Sequence, residues 1–497
     1  MTEAPLALFR CDASPSIGAG HVTRCLALAE ALASAGWRIV FVVGPETTAT
    51  VPALAASGFE VQVLGAAAAA IDVLGEAAAG QAALLVVDHY GCDRDFEQAC
   101  RSFARTILAF DDATGRDHDC DILVDAAAAG PALYREHVPG HARILAGPAY
   151  ALVRSAFVAR RAEALARRDG RAVSEILVSC GATDPANATA AALDALDGIA
   201  DEIDVTVVLS SQAPHLDSVR QRLRGKARLL LDVDDMAALM TRADLAIGAP
   251  GATSYERAVL GLPSILVTLA DNQRGIARMI TEAGAAIDAG ELDEGFKSRL
   301  AGLVAALCQN AAARQQVAQA AGALVDGRGS RRVMLGTLGH SVAKDGAAVR
   351  LRLATASDES WILKLQQHPT TRSHFRETAA PTPAEHHHWM QQILADAKRW
   401  LLVVEVGGQK TGIVRLDRLS NFDGKVRYEV SIAIDPACRG RGIGSAALQQ
   451  VRRLVPGAVL DAAILPANQA STALFKAAGY VEVFGNARHD KPSPALS

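Results

Sequence analysis

In the stretch Arg10-Cys11-Asp12-Ala13-Ser14-Pro15-Ser16-Ile17-Gly18-Ala19-Gly20-His21, a short apolar run (Leu6–Phe9) passes through a two-glycine turn to a histidine. Gly18 and Gly20 let the backbone adopt positive φ and approach a ligand closely. His21 then opens a helical pattern running to Ala35. The first N–H groups of such a helix have no intrahelical acceptor and face whatever lies at the turn. The positive end of the helix dipole favours neutral imidazole, and a neutral imidazole accepts protons at pH 7. His21 is therefore the candidate general base of the chain.

Two further glycine turns have the same construction. In Ile247-Gly248-Ala249-Pro250-Gly251-Ala252-Thr253-Ser254-Tyr255-Glu256 the amides of Gly251 to Ser254 could hold a pyrophosphate. Glu256, one turn into the helix, could accept hydrogen bonds from two ribose hydroxyls. Ser179-Cys180-Gly181-Ala182-Thr183-Asp184-Pro185 repeats the pattern, and Asp271-Asn272-Gln273 opens another helix. Each alone is equally a tight strand-to-helix connection; several directed at one cleft form a signal. Far downstream, Arg439-Gly440-Arg441-Gly442-Ile443-Gly444 follows a strand ending at Ile434 and opens a helix, a context that cradles the pyrophosphate of a coenzyme.

The elements that must position these loops follow from the periodicity. Residues 1–155 alternate short apolar strands (Leu6–Phe9, Arg38–Val43, Val61–Leu64, Ala83–Val87, Thr106–Phe110, Ile122–Val124) with helical stretches. After the charged stretch Arg160–Arg171, a second alternating set (Glu175–Ser179, Val205–Leu209, Ala227–Leu231, Leu245–Ile247, Ser264–Thr268) fills residues 156–330. Strand–helix alternation predicts α/β architecture with two Rossmann-like, parallel-sheet lobes and an interlobe cleft at the carboxyl ends of the strands. Residues 331–347 are polar and aperiodic and read as a flexible linker. Residues 348–485 combine consecutive strands with intervening helices, an α+β rhythm, and 486–497 form a tail.

Bulk properties narrow the functional class. The chain has 497 residues, a net charge of −4 and 50% hydrophobic residues, so no basic field advertises nucleic acid or an anionic membrane. The eight cysteines contain no C-x-x-C pair, and no run approaches the length of a membrane span. A cytoplasmic enzyme acting on a small molecule is the expectation. No metal is expected either. Asp111-Asp112 reads as a solvated strand end, and adjacent residues of His386-His387-His388 on a helix point in different directions.

The pattern Asp12-x-Ser14-x-x-Ile17-Gly18-x-Gly20-His21-x-x-Arg24 resembles the nucleotide-sugar hydrolases of pseudaminic acid biosynthesis, whose fold is GT-B-like. Asp88-His89-Tyr90-Gly91, Gly147-Pro148-x-Tyr150-x-Leu152-x-Arg154, Ser179 to Pro185 and Asp271-Asn272-Gln273 extend the resemblance to about residue 330. One departure is Cys180-Gly181-Ala182, where a Gly-Gly pair is usual before Thr-Asp-Pro. The resemblance implies water attack at the anomeric carbon of UDP-2,4-diacetamido-2,4,6-trideoxy-β-L-altropyranose, with release of UDP and inversion. It implies His21 as base, Tyr90 and Asn272 in the sugar pocket, and Gly18, Gly20, Arg154, Thr183 and Gln273 around the substrate, beside Gly251, Thr253, Ser254 and Glu256, which the turn pattern itself marks as substrate-binding candidates. Asp12 is a candidate to hold the imidazole or a sugar hydroxyl, or to cap its own turn.

Arg439 to Gly444, followed by Asn468-x-x-Ser471-x-x-x-Phe475-x-x-x-Gly479-Tyr480, resembles the Gcn5-related N-acetyltransferases (GNAT). The resemblance implies acetyl-CoA as co-substrate, with Arg439, Gly440, Arg441, Gly442, Ile443, Gly444, Asn468 and Ser471 at the coenzyme and Glu429 as the carboxylate that deprotonates an amine. Phe475 stands where many relatives carry the tyrosine that protonates the leaving thiolate. The two halves together imply a bifunctional enzyme that acetylates a UDP-amino sugar at its 4-amino group and then releases UDP from the product. The alternative is a GT-B glycosyltransferase using a UDP-sugar, fused to an acetyltransferase for another amine.

Overall fold

A computed structural model describes residues 4–14, 16–65, 69–112, 115–375, 377–483 and 486–489. One compact unit comprises Ala7–Glu30 and Ile39–Val333; a second contains the chain from Met334 onward together with Ala31–Arg38.

The first sheet orders its seven strands β3-β2-β1-β4-β5-β6-β7, where β1 is Leu6–Cys11, β2 Arg38–Val43, β3 Glu60–Val63, β4 Leu84–Asp88, β5 Ile107–Phe110, β6 Ile122–Asp125 and β7 Arg143–Ala146. Its central strands are buried along their whole length, as parallel strands covered on both faces must be. Strand order reverses between β1 and β4, which pair in parallel with Cys11 opposite Asp88. A crevice at the carboxyl ends of strands opens at such a reversal. Both β1 and β4 end there, and the Gly20–Ser34 helix starts there.

The second sheet orders β10-β9-β8-β11-β12-β13, all in parallel, where β8 is Glu175–Ser179, β9 Asp204–Leu209, β10 Ala227–Leu231, β11 Leu245–Gly248, β12 Ser264–Thr268 and β13 Ile287–Glu291. Its reversal lies between β8 and β11, with Ser179 opposite Gly248. The two lobes are thus both Rossmann-like parallel sheets, as the strand–helix alternation predicts. The charged stretch 160–171 is mostly helix (Ser155–Arg167). Arg161 and Arg168 bond the carbonyls of Val259, Gly322, Val325, Met240 and Ala243 and so tie this helix to the second lobe.

The third sheet orders β14-β15-β16-β17-β18-β19-β21-β20, where β14 is Ser341–Val342, β15 Ala348–Leu353, β16 Arg399–Val406, β17 Gln409–Arg418, β18 Arg427–Ile434, β19 Val459–Ala463, β20 Val481–Val483 and β21 Asn486–His489. Helices Glu359–Gln367 and Pro383–Ala395 pack Ile362, Leu365, Met390 and Ile393 onto Leu401, Val403, Ile413 and Ala433 of one face. Two expectations are corrected here. Residues 331–347 are not featureless linker: they contain the end of the Gly329–Thr337 helix and β14, which pairs with β15 through Ser341 opposite Val349. The tail begins with a strand, β21, although its last residues, 490–497, lie outside the described set.

Candidate active sites

His21 sits in the first turn of the Gly20–Ser34 helix, almost fully buried, at the reversal point of the first sheet. Its Nδ1 lies 2.6 Å from Asp88 Oδ1. An ionised carboxylate only accepts, so Nδ1 is the donor of this pair, and in the neutral ring that leaves the lone pair on Nε2. Arg24, one turn along the same helix, donates to both oxygens of Asp88 at 2.5 and 2.6 Å and to Asp112 at 3.0 Å. Burial works to raise the Asp88 pKa, but the Arg24 charge and the His21 contact outweigh it and hold the carboxyl ionised below its usual range. The Tyr90 hydroxyl donates to Asp112 at 2.7 Å, and the Tyr90 ring meets His21 edge-on with centroids 4.9 Å apart. Burial and the Asp112 charge push the phenol up to about 12, so it stays a donor. His21, Asp88, Arg24, Asp112 and Tyr90 therefore close a circuit of contacts around one imidazole.

Gly18 has φ +82° and lies in open space, as does Gly20, so the turn beside the imidazole is bare backbone. Asp12 does not touch His21. It accepts from Arg10 and from the Gly44 amide, and contacts His89 Nε2 at 3.2 Å, so the imidazole it holds is that of His89. Asp112, read from sequence as a solvated turn residue, instead anchors both Arg24 and Tyr90.

In the second lobe the Gly251 turn is more self-contained than its sequence implies. The Gly251 amide donates to Ser254 Oγ and the Ser254 amide to the Gly251 carbonyl. Ala252 and Thr253 are left as the amides at the start of this helix that the turn itself does not use. The buried Glu256 pairs with Arg154 at 3.1 Å, which joins two residues far apart in sequence. Burial raises the Glu256 pKa and Arg154 opposes it. Thr183 is half-buried in a loop whose next residue, Asp184 (φ +40°), caps the following helix through the Ala188 and Thr189 amides. Gln273 accepts from the Leu269 amide and so shapes its own turn, while Asn272 is exposed. Burial keeps Tyr255 of the second lobe protonated, with the charges of Asp125, Arg24 and Asp112 of the first lobe acting on it through space.

In the C-terminal unit β18 and β19 run parallel and pair only from Arg427 to Glu429 against Val459 to Asp461. β18 continues to Ile434 paired with β17 alone, so the strands part immediately after Glu429. Next to this opening, Gly440 (φ +78°) faces open space and Gly442 (φ +83°) caps the Ile443–Leu454 helix. An extended chain ending in a pyrophosphate fits a parted strand pair beside bare backbone and a helix N-terminus, and Ile443 and Gly444 lie in that first helical turn. Glu429 stands at the vertex, with Asp417 and Asp461 opposite it on the neighbouring strands.

Other residues expected at the coenzyme have protein partners. Arg439 bonds Thr371, Arg441 pairs with Asp345 at 2.6 Å, and Asn468 caps its own helix by accepting from the Ser471 amide at 3.0 Å. Phe475 is buried edge-on against Tyr480, itself buried. The three adjacent histidines diverge: His386 contacts the Glu359 carbonyl, His387 the Glu359 carboxylate and His388 Gln392. Sequence reasoning did not assign Asp88, Arg24 or Asp112 to the site, although the first two stand inside recognisable motifs.

Residues 348–481 match the family model of the acetyltransferase (GNAT) domain, and residues 175–327 that of the glycosyltransferase family 28 C-terminal domain. The chain is 26% identical over 282 residues to the UDP-2,4-diacetamido-2,4,6-trideoxy-β-L-altropyranose hydrolase of Campylobacter jejuni, covering 56% of this chain and 96% of that protein. It is 32% identical over 188 residues to the spore coat polysaccharide biosynthesis protein SpsG of Bacillus subtilis, covering 37% of this chain and 55% of the relative. The chain thus spans about half the length of SpsG. The crystal structure of Acinetobacter baumannii MurG aligns with 66% of this chain and 98% of its own, at 16% identity and a TM-score of 0.46. Among the described residues no helix is long and apolar enough to cross a membrane.

Proposed function

Because this chain joins a GNAT domain to a two-lobed, glycosyltransferase-28-like unit homologous to the Campylobacter nucleotide-sugar hydrolase, we propose that it hydrolyses a UDP-linked diacetamido sugar and acetylates an amino-sugar nucleotide. The observation that carries the first half is the Asp88-held imidazole at the reversal point of the first sheet. Nε2 of His21 takes a proton from water as the water oxygen bonds to the anomeric carbon. The C–O bond to the diphosphate breaks, its electron pair leaves with UDP, and the anomeric centre inverts. Tyr90, kept protonated, supplies a polar edge beside the base. Ala252 and Thr253 amides of the second lobe are suited to the departing diphosphate.

In the C-terminal unit, acetyl-CoA supplies the acetyl group when bound. Glu429, at the vertex of the parted strands, takes the proton of the attacking amine. Phe475 cannot donate a proton, but a thiol has a pKa of about 8.5 and needs no dedicated acid. We assign the 4-amino group of the UDP-amino sugar as acceptor, because the acetylated product is then the substrate of the first unit.

The decisive experiment incubates the chain with UDP-2,4-diacetamido-2,4,6-trideoxy-β-L-altropyranose and no acceptor. Free reducing sugar plus UDP is expected, and both should vanish in His21→Ala. Adding acetyl-CoA and the 4-amino precursor should yield the same free sugar by mass spectrometry. The family 28 match over the second lobe favours a second reading, transfer of the sugar to a carbohydrate. Under that reading no sugar is released until an acceptor is added.

A further inference from the structure

The second lobe contains a buried cation with no counter-charge of its own. Arg257, in the Ala252–Val259 helix, is 1% exposed and ranks among the largest fully buried side chains of the chain. Its Nη2 donates to the Ala249 carbonyl and to Ser254 Oγ, each at 2.9 Å, while Nε and Nη1 have no hydrogen-bond partner. Buried guanidinium groups are ordinarily paired with a carboxylate, and leaving one unpaired is costly. The Glu256 carboxylate acts on it only through space, with no hydrogen bond between the two. Glu256 is engaged by Arg154, and burial pushes the Cys180 thiol up to about 12, so it is uncharged at neutral pH. Arg257 itself is lowered by burial only to about 10 and remains a cation.

The position of this cation gives it a use. A Cβ on Gly248 would lie 2.6 Å from Arg257 Nη1 and 2.4 Å from the Ser179 carbonyl. The guanidinium therefore reaches under the bare backbone where β8 and β11 diverge. It bonds the Ala249 carbonyl and Ser254 Oγ within the same turn, whose Ala252 and Thr253 amides the turn itself does not use. This is the crevice where an anion meets a helix N-terminus.

We propose that Arg257 is the fixed positive charge of a nucleoside-diphosphate site, acting through the floor of the Gly248–Ser254 turn on the diphosphate bound above it. It is a positioning and specificity residue rather than a catalytic one. The stability the fold forgoes by burying it unpaired returns as selectivity for a charged over an uncharged nucleoside. The inference rests on the reading of the second lobe as a UDP site, and the test separates the two.

UDP and uridine are titrated calorimetrically into the full chain as wild type, Arg257→Met and Arg257→Lys. Wild type should prefer UDP strongly. Arg257→Met should weaken UDP about 30- to 100-fold while leaving uridine within about threefold, and its Tm should be equal to or above wild type, because an apolar side chain of similar length relieves an unpaired charge. Arg257→Lys should recover part of the UDP preference. Equal losses for both ligands, an unchanged preference in Arg257→Met, or a variant that melts lower or does not fold would each overturn the role given to Arg257. A wild-type chain indifferent between UDP and uridine would overturn the reading of the lobe itself.

Discussion

Replacing Asp88 with Asn tests the heart of the proposed hydrolytic site while changing almost no volume. Asp88 is 1% exposed and receives His21 Nδ1 at 2.6 Å and two Arg24 nitrogens at 2.5 and 2.6 Å. An amide can satisfy only part of this set, since its nitrogen must face one of the same donors. Presented to His21, that nitrogen donates to Nδ1 and drives the imidazole proton to Nε2, where the lone pair is needed. In a serine-protease triad the equivalent change lowers kcat by about 10⁴. Here the Tyr90 edge holds the ring independently, so we expect about 10³, or ~4 kcal/mol of barrier, with KM little changed. Stability also falls. Arg24 keeps Asp112 as its counter-charge but exchanges the Asp88 carboxylate for a neutral carbonyl, and breaking one buried ion pair costs up to about 3–5 kcal/mol. With the Arg24 side chain 22% exposed, the low end applies, a Tm loss of about 6 °C at roughly 2 °C per kcal/mol. UDP release at saturating substrate gives kcat, a thermal melt gives the stability, and imidazole ¹⁵N resonances assigned by comparison with His21→Ala give the tautomer. A variant with kcat within threefold of wild type and an Nδ1-protonated His21 would refute the reasoning.

Three further outcomes follow from the same geometry. Burial lowers the His118 pKa, but the ion-pair contact with Asp111 (Nε2 to Oδ2, 3.5 Å) and the hydrogen bond with Glu97 (Nδ1 to Oε1, 2.8 Å) outweigh it and raise it to about 9. Since that lies above the unfolded value of about 6.5, the stabilisation of up to about 3 kcal/mol is complete below pH 6.5 and is lost as pH rises through 9. Denaturant titrations from pH 6 to 10 should show the decline, and His118→Gln should flatten it. Glu429→Gln should lower the acetyl-transfer kcat about 10²- to 10³-fold while leaving the Kd for CoA, measured calorimetrically, unchanged. Gly329→Ala would set a methyl 1.9 Å from the Ala151 carbonyl, a backbone atom that cannot swing aside. It should cost about 3 kcal/mol, read as a lower unfolding midpoint in urea at unchanged slope.

What the sequence revealed follows physical lines. Strands such as Leu84–Asp88 and Leu245–Gly248 are buried throughout and so appear as unbroken apolar runs. The edge strands Arg143–Ala146 and Ile287–Glu291 are half solvated, carry arginine, aspartate and glycine, and escaped notice. The 331–347 segment looked like linker because its helix is arginine-rich and its strand is two residues long. At the candidate site, the His21 turn is legible because a histidine after two glycines has a local signature. The partners of His21 are not, because Asp88 and Asp112 reach it only once β1, β4 and β5 lie side by side. Asp12, nearer in sequence, was the natural candidate, yet its oxygens are directed to Arg10, Gly44 and His89. Local spacing reports turns; it is silent on which strand ends converge.

Strand β14 changes how the acetyltransferase half can be handled. Ser341 and Val342 hydrogen-bond along the outer edge of β15, Arg453 grips Ser341, and the turn that follows packs the Lys344 backbone against Gly442 while Asp345 engages Arg441. A truncation starting at residue 348, where the family match begins, would strip a sheet edge and uncover the glycine that caps the Ile443–Leu454 helix. An expression clone meant to yield this half alone should begin upstream of His340, because those few residues belong to the body of the domain rather than to its tether.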